Sequence, residues 1–136
     1  MKEATVTWLT RMTFDADLDG HHVFMDARGD HGDNRGPTPT SLLLASLAGC
    51  TAMDVVSILR KKRQPFTGLV VRVEGEQMPD HPHKFEKITL VYEVHGEGVD
   101  LAAVERAVEL SDEKYCSIAA SLRGETAIDT RVVLVD

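Results

Sequence analysis

The sequence predicts an α+β protein, with residues 1–136 forming one domain. Two observations carry this prediction: β-prone segments occupy both ends of the chain, and one long, very apolar helical segment lies between them. Apolar residues make up 43% of the 136 residues and charged residues 27%, which is typical of a folded globular domain. A chain of this length can bury a core without a metal or a disulfide. The predicted order of elements is β-β-β-α-β-β-α-α-β.

The first part of the chain is predicted to form strands. Val6–Leu9 is β-prone, Met12–Leu18 gives a second strand, and His21–Asp26 follows the turn residues Asp19–Gly20. The next segment, Arg28–Gly36, is so polar and rich in glycine that we expect no regular element there.

A long helix follows this loop. Thr38 is its predicted N-cap, and Pro39 occupies the first helical position, where a missing N–H costs nothing. The segment Leu42–Leu59 is apolar almost all round, yet Asp54 and the basic run Arg60–Arg63 argue against a membrane span. A long buried central helix is the better interpretation. One small domain cannot cover every side of it, so we expect an obligate homodimer in which these helices meet.

The remaining chain predicts two strands, two helices and a last strand. The strands are Leu69–Val73 and Ile88–Val94. Asp100 is the predicted cap of the next helix, and Ser111 that of a final helix running to about Arg123. Thr126–Val135 then completes the fold as a strand.

Charge and composition exclude several classes of partner. The formal net charge is −7, which argues against nucleic acid or an anionic membrane as the main partner. The N-terminal residues lack the apolar core of a signal peptide, so we expect a cytoplasmic protein with reduced thiols. The histidines match no zinc signature, and we expect no metal or cofactor. Five of the six histidines lie in the segments that could suggest a metal site, namely His21, His22, His31, His81 and His83.

Cys50 lies in the apolar helix and shares its face with polar residues. At about 100° per residue, Ser46, Asp54 and Ser57 fall within about 40° of it. A cysteine in such a helix can be a small core residue. Polar neighbours indicate instead that water, a partner or a ligand approaches the thiol. Both interpretations stay open from spacing alone.

Cys116 lies near the start of the last predicted helix, where the helix dipole can favour a thiolate. It too can be a core residue, but the two thiols together suggest a redox pair that forms a sulfenic acid and then a disulfide. The attacking thiol needs a nearby cation. Arg11 in the early strands and Arg35 before the long helix are the candidates, although either can be an ordinary surface charge.

Two segments carry a family resemblance. Residues 36–54, GPTPTSLLLASLAGCTAMD, and residues 110–117, LSDEKYCS, resemble the OsmC/Ohr family of osmotically inducible and organic-hydroperoxide-resistance proteins. The resemblance implies an intertwined α+β homodimer with active sites at the interface. It also implies thiol-dependent reduction of organic hydroperoxides, with Cys50 peroxidatic, Cys116 resolving, and a dithiol such as a lipoyl group as reductant.

One departure from the family pattern matters for function. The well-studied branches carry a glutamate just after the proline that opens the long helix, whereas this chain has Thr40 and Ser41 there. The chain therefore resembles a less characterised branch. The alternative to a peroxidase is a non-catalytic dimer that binds a small molecule or senses redox state.

Overall fold

Three antiparallel strands begin the chain. In a computed structural model, which describes residues 1–136, β1 (Ala4–Thr10), β2 (Thr13–Leu18) and β3 (His21–Met25) form a sheet in that order. They belong to an N-terminal unit, Met1–Leu43, and the rest of the chain forms a second unit. The three strands predicted from the sequence are confirmed.

The loop after β3 is organised by the buried carboxylate of Asp26, which is 3% exposed. The Thr13 hydroxyl donates to Asp26 Oδ2 at 2.7 Å, and the backbone N–H of Arg35 donates to the same oxygen at 3.2 Å. The N–H of Ala27 donates to Oδ1 at 2.7 Å. A buried carboxylate needs such donors, since burying it without them would be very costly.

The same loop contains one short regular element that the sequence did not predict. Gly29–His31 forms a 3₁₀ turn, so the expectation of no regular structure between residues 28 and 36 is wrong there. Polar and glycine-rich composition disfavours long elements but not a single i→i+3 turn. Later in the loop, a Cβ on Gly36 would lie 2.2 Å from the carbonyl oxygen of Phe24, so only glycine fits.

The long helix α1 spans Pro39–Lys61. The backbone N–H of Ser41 donates to Thr38 Oγ1 at 3.3 Å, which confirms the predicted cap. In the single chain only one stripe of α1 is buried, while Met53 stays 76% exposed. By length and composition α1 would be able to span a membrane, but core helices of soluble proteins pass the same test. The buried residues are Leu47, Ala48, Thr51, Val55 and Leu59.

The second unit contains a mixed three-stranded sheet. Its strands β4 (Gly68–Gln77), β5 (Phe85–His95) and β6 (Ala127–Val135) are arranged in the order β4-β5-β6. β5 runs antiparallel to β4 and parallel to β6. β4 extends beyond the predicted Val73 because its polar end still pairs with β5, as Glu74 does with Thr89.

The helical segment between β5 and β6 differs from its predicted form. α2 spans Leu101–Leu110, with Asp100 Oδ1 accepting from the N–H of Ala102 at 3.1 Å, so the predicted Asp100 cap is confirmed. The prediction of Ser111 as the cap of one continuous last helix is wrong. Ser111 keeps helical backbone angles and opens a π turn, Ser111–Tyr115, before α3 (Ser117–Leu122).

The α+β class is therefore confirmed, as is the order β-β-β-α-β-β-α-β, in which the helical region between β5 and β6 counts as one segment. The π turn divides the last helical segment into α2 and α3.

Candidate functional site

Both cysteines belong to the second unit, and the fold brings their sulfur atoms together. Cys50 lies in the middle of α1 and is partly exposed, whereas Cys116 directly precedes α3 and is 2% exposed. Both are free thiols, and Cys50 lies close enough to Cys116 to contribute to its raised pKa. A pair of adjacent thiols from two different elements is the arrangement that disulfide chemistry requires.

The π turn sets the position of Cys116. The backbone N–H of Cys116 donates to the carbonyl oxygen of Ser111 at 2.8 Å, which is the i→i+5 bond that closes such a turn. Cys116 is then the N-cap of α3, and its sulfur accepts a hydrogen bond from the N–H of Ala119 at 3.3 Å. Hydrogen bonds thus fix Cys116 at both its backbone and its side chain. π turns occur often at functional sites.

Cys116 is strongly biased toward the protonated thiol. Burial raises its pKa to about 11, and the hydrogen bond with Cys50 and negative charge on Cys50 act in the same direction. The N–H of Ala119 opposes them, because a donor at a helix N-terminus favours the thiolate. At neutral pH Cys116 is therefore a poor first nucleophile, and the arrangement suits a thiol that reacts second.

Asp54 connects the two elements that carry the cysteines. It lies one helical turn after Cys50, and its Oδ2 accepts a hydrogen bond from the hydroxyl of Ser111 at 2.8 Å. Ser111 is completely buried. Of the polar residues predicted to share the face of Cys50, Asp54 thus contacts the π turn, whereas Ser46 and Ser57 are exposed.

A tyrosine hydroxyl lies buried close to this cluster. Tyr92 in β5 is 0% exposed and its hydroxyl has no hydrogen-bond partner. The neighbouring Thr51 hydroxyl instead donates to the carbonyl oxygen of Ala48 at 3.1 Å. Burial raises the pKa of Tyr92 to about 12; the adjacent Thr51 hydroxyl opposes this rise, and the charges of Asp112, Cys116 and Asp54 add smaller increases. Tyr92 is therefore neutral at physiological pH.

The two candidate arginines belong to the N-terminal unit. Arg11 lies in the tight turn between β1 and β2 with a positive φ of 48°. Its guanidinium forms an ion pair with Asp33 and donates to the carbonyl oxygen of Asp30 at 3.4 Å. Arg35 is exposed, and it is its backbone N–H that bonds to Asp26. In this unit the charge of Arg11 is thus partly balanced by a carboxylate.

Sequence reasoning missed two residues of the site region. Tyr92 looked like any other alternating strand residue, and Thr51 looked like a polar break in an apolar helix. A buried hydroxyl is recognisable only from its tertiary surroundings. Position alone carried no signal for them.

The first turn of α1 contains no acidic residue, as the sequence shows. The hydroxyl of Thr38 donates to Ser41 Oγ at 3.0 Å, so hydroxyl groups occupy this end of the helix. The structure brings no group of three His, Cys, Asp or Glu side chains together that could hold a metal ion.

The α+β fold with its two neighbouring cysteines agrees with the result of the comparison with known families. A family model described as OsmC-like protein matches residues 31–131, and the chain belongs to this family. It is 41% identical to Protein YhfA of Escherichia coli K12 over 121 residues, 88% of each chain.

Solved structures show the same fold. A hypothetical protein from Aquifex aeolicus is 30% identical, with a TM-score of 0.89 and coverage of 99% of this chain and 96% of that one. The organic hydroperoxide resistance protein OhrB of Bacillus subtilis is only 15% identical, with a TM-score of 0.67 and 98% coverage of both chains. That second likeness concerns the fold alone.

Proposed function

We propose that the protein is a thiol-dependent peroxidase that reduces organic hydroperoxides, with Cys50 as the peroxidatic and Cys116 as the resolving cysteine. The observation that carries this proposal is the pairing of a partly exposed thiol with a buried neighbour whose pKa is about 11. Such a difference in exposure separates the two roles, because the peroxide must reach the first thiol but not the second.

The first step oxidises Cys50. Its thiolate attacks one oxygen of the hydroperoxide, the O–O bond breaks, and the alkoxide leaves as the alcohol after taking a proton. Cys50 becomes a sulfenic acid. A cation near this sulfur would stabilise both the thiolate and the leaving oxygen, and Arg11 and Arg35 remain the candidates for that role.

The second step forms the disulfide. The Cys116 sulfur attacks the sulfenic sulfur of Cys50, the S–O bond breaks, and the departing hydroxide takes the Cys116 proton and leaves as water. Cys116 can react here despite its raised pKa, because the hydroxide that leaves the Cys50 sulfenic acid accepts the proton of the Cys116 thiol. An external dithiol, such as a lipoyl group, then reduces the disulfide and itself becomes a cyclic disulfide. A reducing compartment such as the cytoplasm would keep the resting thiols reduced.

We propose further that the working unit is a homodimer. Each unit of the chain exposes apolar side chains that water would disfavour: Trp8 in β1 is 64% exposed and Met53 in α1 is 76% exposed. Large exposed apolar side chains of this kind favour an interface on each unit. Sedimentation velocity at micromolar concentration is expected to give a dimer, and a stable monomer would contradict this proposal.

A second candidate function rests on the first turn of α1. Because it lacks an acidic residue, no carboxylate there can orient an activating arginine. A dimer that senses redox state through the same thiols, without rapid turnover, is the alternative. The two functions share the disulfide and differ in the rate of the first step.

Turnover of tert-butyl hydroperoxide with a dithiol reductant distinguishes these functions. The peroxidase proposal expects wild-type turnover, complete loss in Cys50→Ser, and a single turnover without dithiol-driven recycling in Cys116→Ser. Ser121→Ala is a matched control, since it removes an exposed hydroxyl of α3 that bonds only within its own helix. Absence of Cys50-dependent consumption of peroxide would contradict the peroxidase and leave the sensor.

A further inference from the structure

A continuous set of hydrogen bonds links the helix of Cys50 to the backbone of Cys116. The Ser111 hydroxyl donates to Asp54 Oδ2 at 2.8 Å, and the Ser111 carbonyl oxygen accepts from the N–H of Cys116 at 2.8 Å. Asp54 lies on the same helix as Cys50, one turn later. Ser111 therefore connects, through its side chain and its backbone, the two elements that carry the thiols.

This connection is made at the π turn that precedes Cys116. The π turn between α2 and α3 is a single turn closed by an i→i+5 bond, a rare geometry that needs support from its surroundings. Ser111 begins this turn and is 0% exposed. A buried hydroxyl that donates to a carboxylate forms a charge-assisted hydrogen bond, roughly twice as strong as a neutral one.

We propose that Asp54 and Ser111 are positioning residues for the thiol pair: their hydrogen bond holds the π turn against α1 and keeps the Cys116 thiol beside Cys50. This inference rests on the proposed function, because the pair must close to a disulfide. Neither residue exchanges a proton or electron with the sulfurs. Their effect is to raise the effective concentration of one thiol at the other, which favours the intramolecular disulfide.

The effective concentration is measurable without any peroxide. In a buffer of oxidised and reduced dithiothreitol, the two protein thiols transfer two electrons and two protons to the cyclic disulfide, yielding the protein disulfide and the reduced dithiol. The equilibrium constant of this exchange reports how well the protein holds its thiols together. Loss of one charge-assisted hydrogen bond is expected to lower it about tenfold, which equals about 30 mV for a two-electron couple.

Four variants and one control separate the effect of the hydrogen bond from the effect of the charge and from general damage. Asp54→Ala and Ser111→Ala remove the bond and should each lower the constant about tenfold, and the double variant should be no worse than either, because both remove one interaction. Asp54→Asn keeps an oxygen that can accept from Ser111 in a neutral hydrogen bond, which is about half as strong, so it should lower the constant only about threefold. Ser121→Ala serves as the control for loss of a serine hydroxyl that bonds within its own helix.

Three results would overturn the inference: single variants that match wild type, additive losses in the double variant, or an Asp54→Asn variant as impaired as Asp54→Ala. Asp54 is only partly buried, so its variants remain informative if Ser111→Ala does not fold, as checked by thermal unfolding. The outcome is independent of peroxidase activity. A wild type that forms the disulfide in dithiothreitol but consumes no hydroperoxide contradicts the proposed function and leaves the positioning role standing.

Discussion

Replacing Cys50 with alanine should lower the pKa of Cys116 only part of the way to its ordinary value. Burial is the largest cause of the rise from 9.0 to about 11, and Cys50 contributes the next, through its hydrogen bond and its charge. The substitution removes both contributions of Cys50 and leaves burial in place, since Cys116 is 2% exposed. We therefore expect a pKa that falls below the wild-type value but stays above 9.0.

The pKa is measured by alkylation of the thiol. The chain has two cysteines, so Cys116 is the only thiol left to react in Cys50→Ala. In the wild type, with a pKa of about 11, about 0.01% of Cys116 is thiolate at pH 7. The rate of alkylation by iodoacetamide should rise steeply with pH and reach half its maximum at the pKa. Cys50→Ser is the matched variant, since its hydroxyl retains a hydrogen-bonding partner without a thiolate charge.

Two results would refute this reasoning. A pKa at or below 9.0 in Cys50→Ala would mean that Cys50, and not burial, controls the protonation of Cys116. A pKa unchanged from that of Cys116 in the reduced wild type would mean that the sulfurs do not interact.

Two further substitutions test buried polar groups. Tyr92→Phe removes a buried hydroxyl that has no partner, so the free energy of unfolding in urea should rise by about 1 kcal/mol; a clear loss of stability would show that the hydroxyl is bonded. Asp26→Asn should make the free energy of unfolding fall less steeply as the pH is lowered below about 5. The hydrogen bond from Thr13 is the main cause of the lowered pKa of Asp26. A lowered folded-state pKa adds stability above the unfolded value of 3.8 that is lost as pH falls through the folded value. Parallel wild-type and variant curves below about pH 5 would contradict this.

Local chemistry explains which features the sequence could predict. The caps Thr38 and Asp100 are confirmed because a capping side chain bonds to N–H groups two or three residues away. The full length of β4 escaped prediction because pairing with β5, not its own composition, decides where it ends.

Tertiary contacts explain the rest. Ser111 has the composition of an N-cap, yet its hydroxyl bonds to Asp54, which lies 57 residues away. That distant bond accompanies a π turn in place of a new helix start. The approach of Cys50 to Cys116 is likewise a contact between residues distant in the chain, so spacing could suggest a redox pair but could not show that the thiols meet.

The central claim is that Cys50 and Cys116 close to a disulfide when the protein meets an organic hydroperoxide. Its most direct test is the mass of the intact, initially reduced protein after treatment with one equivalent of tert-butyl hydroperoxide, followed by peptide mapping without reductant. We predict the loss of two hydrogen atoms and a single cross-linked peptide joining Cys50 to Cys116. An unchanged mass, or oxygen added at Cys50 with no cross-link although Cys116 is intact, would contradict the account.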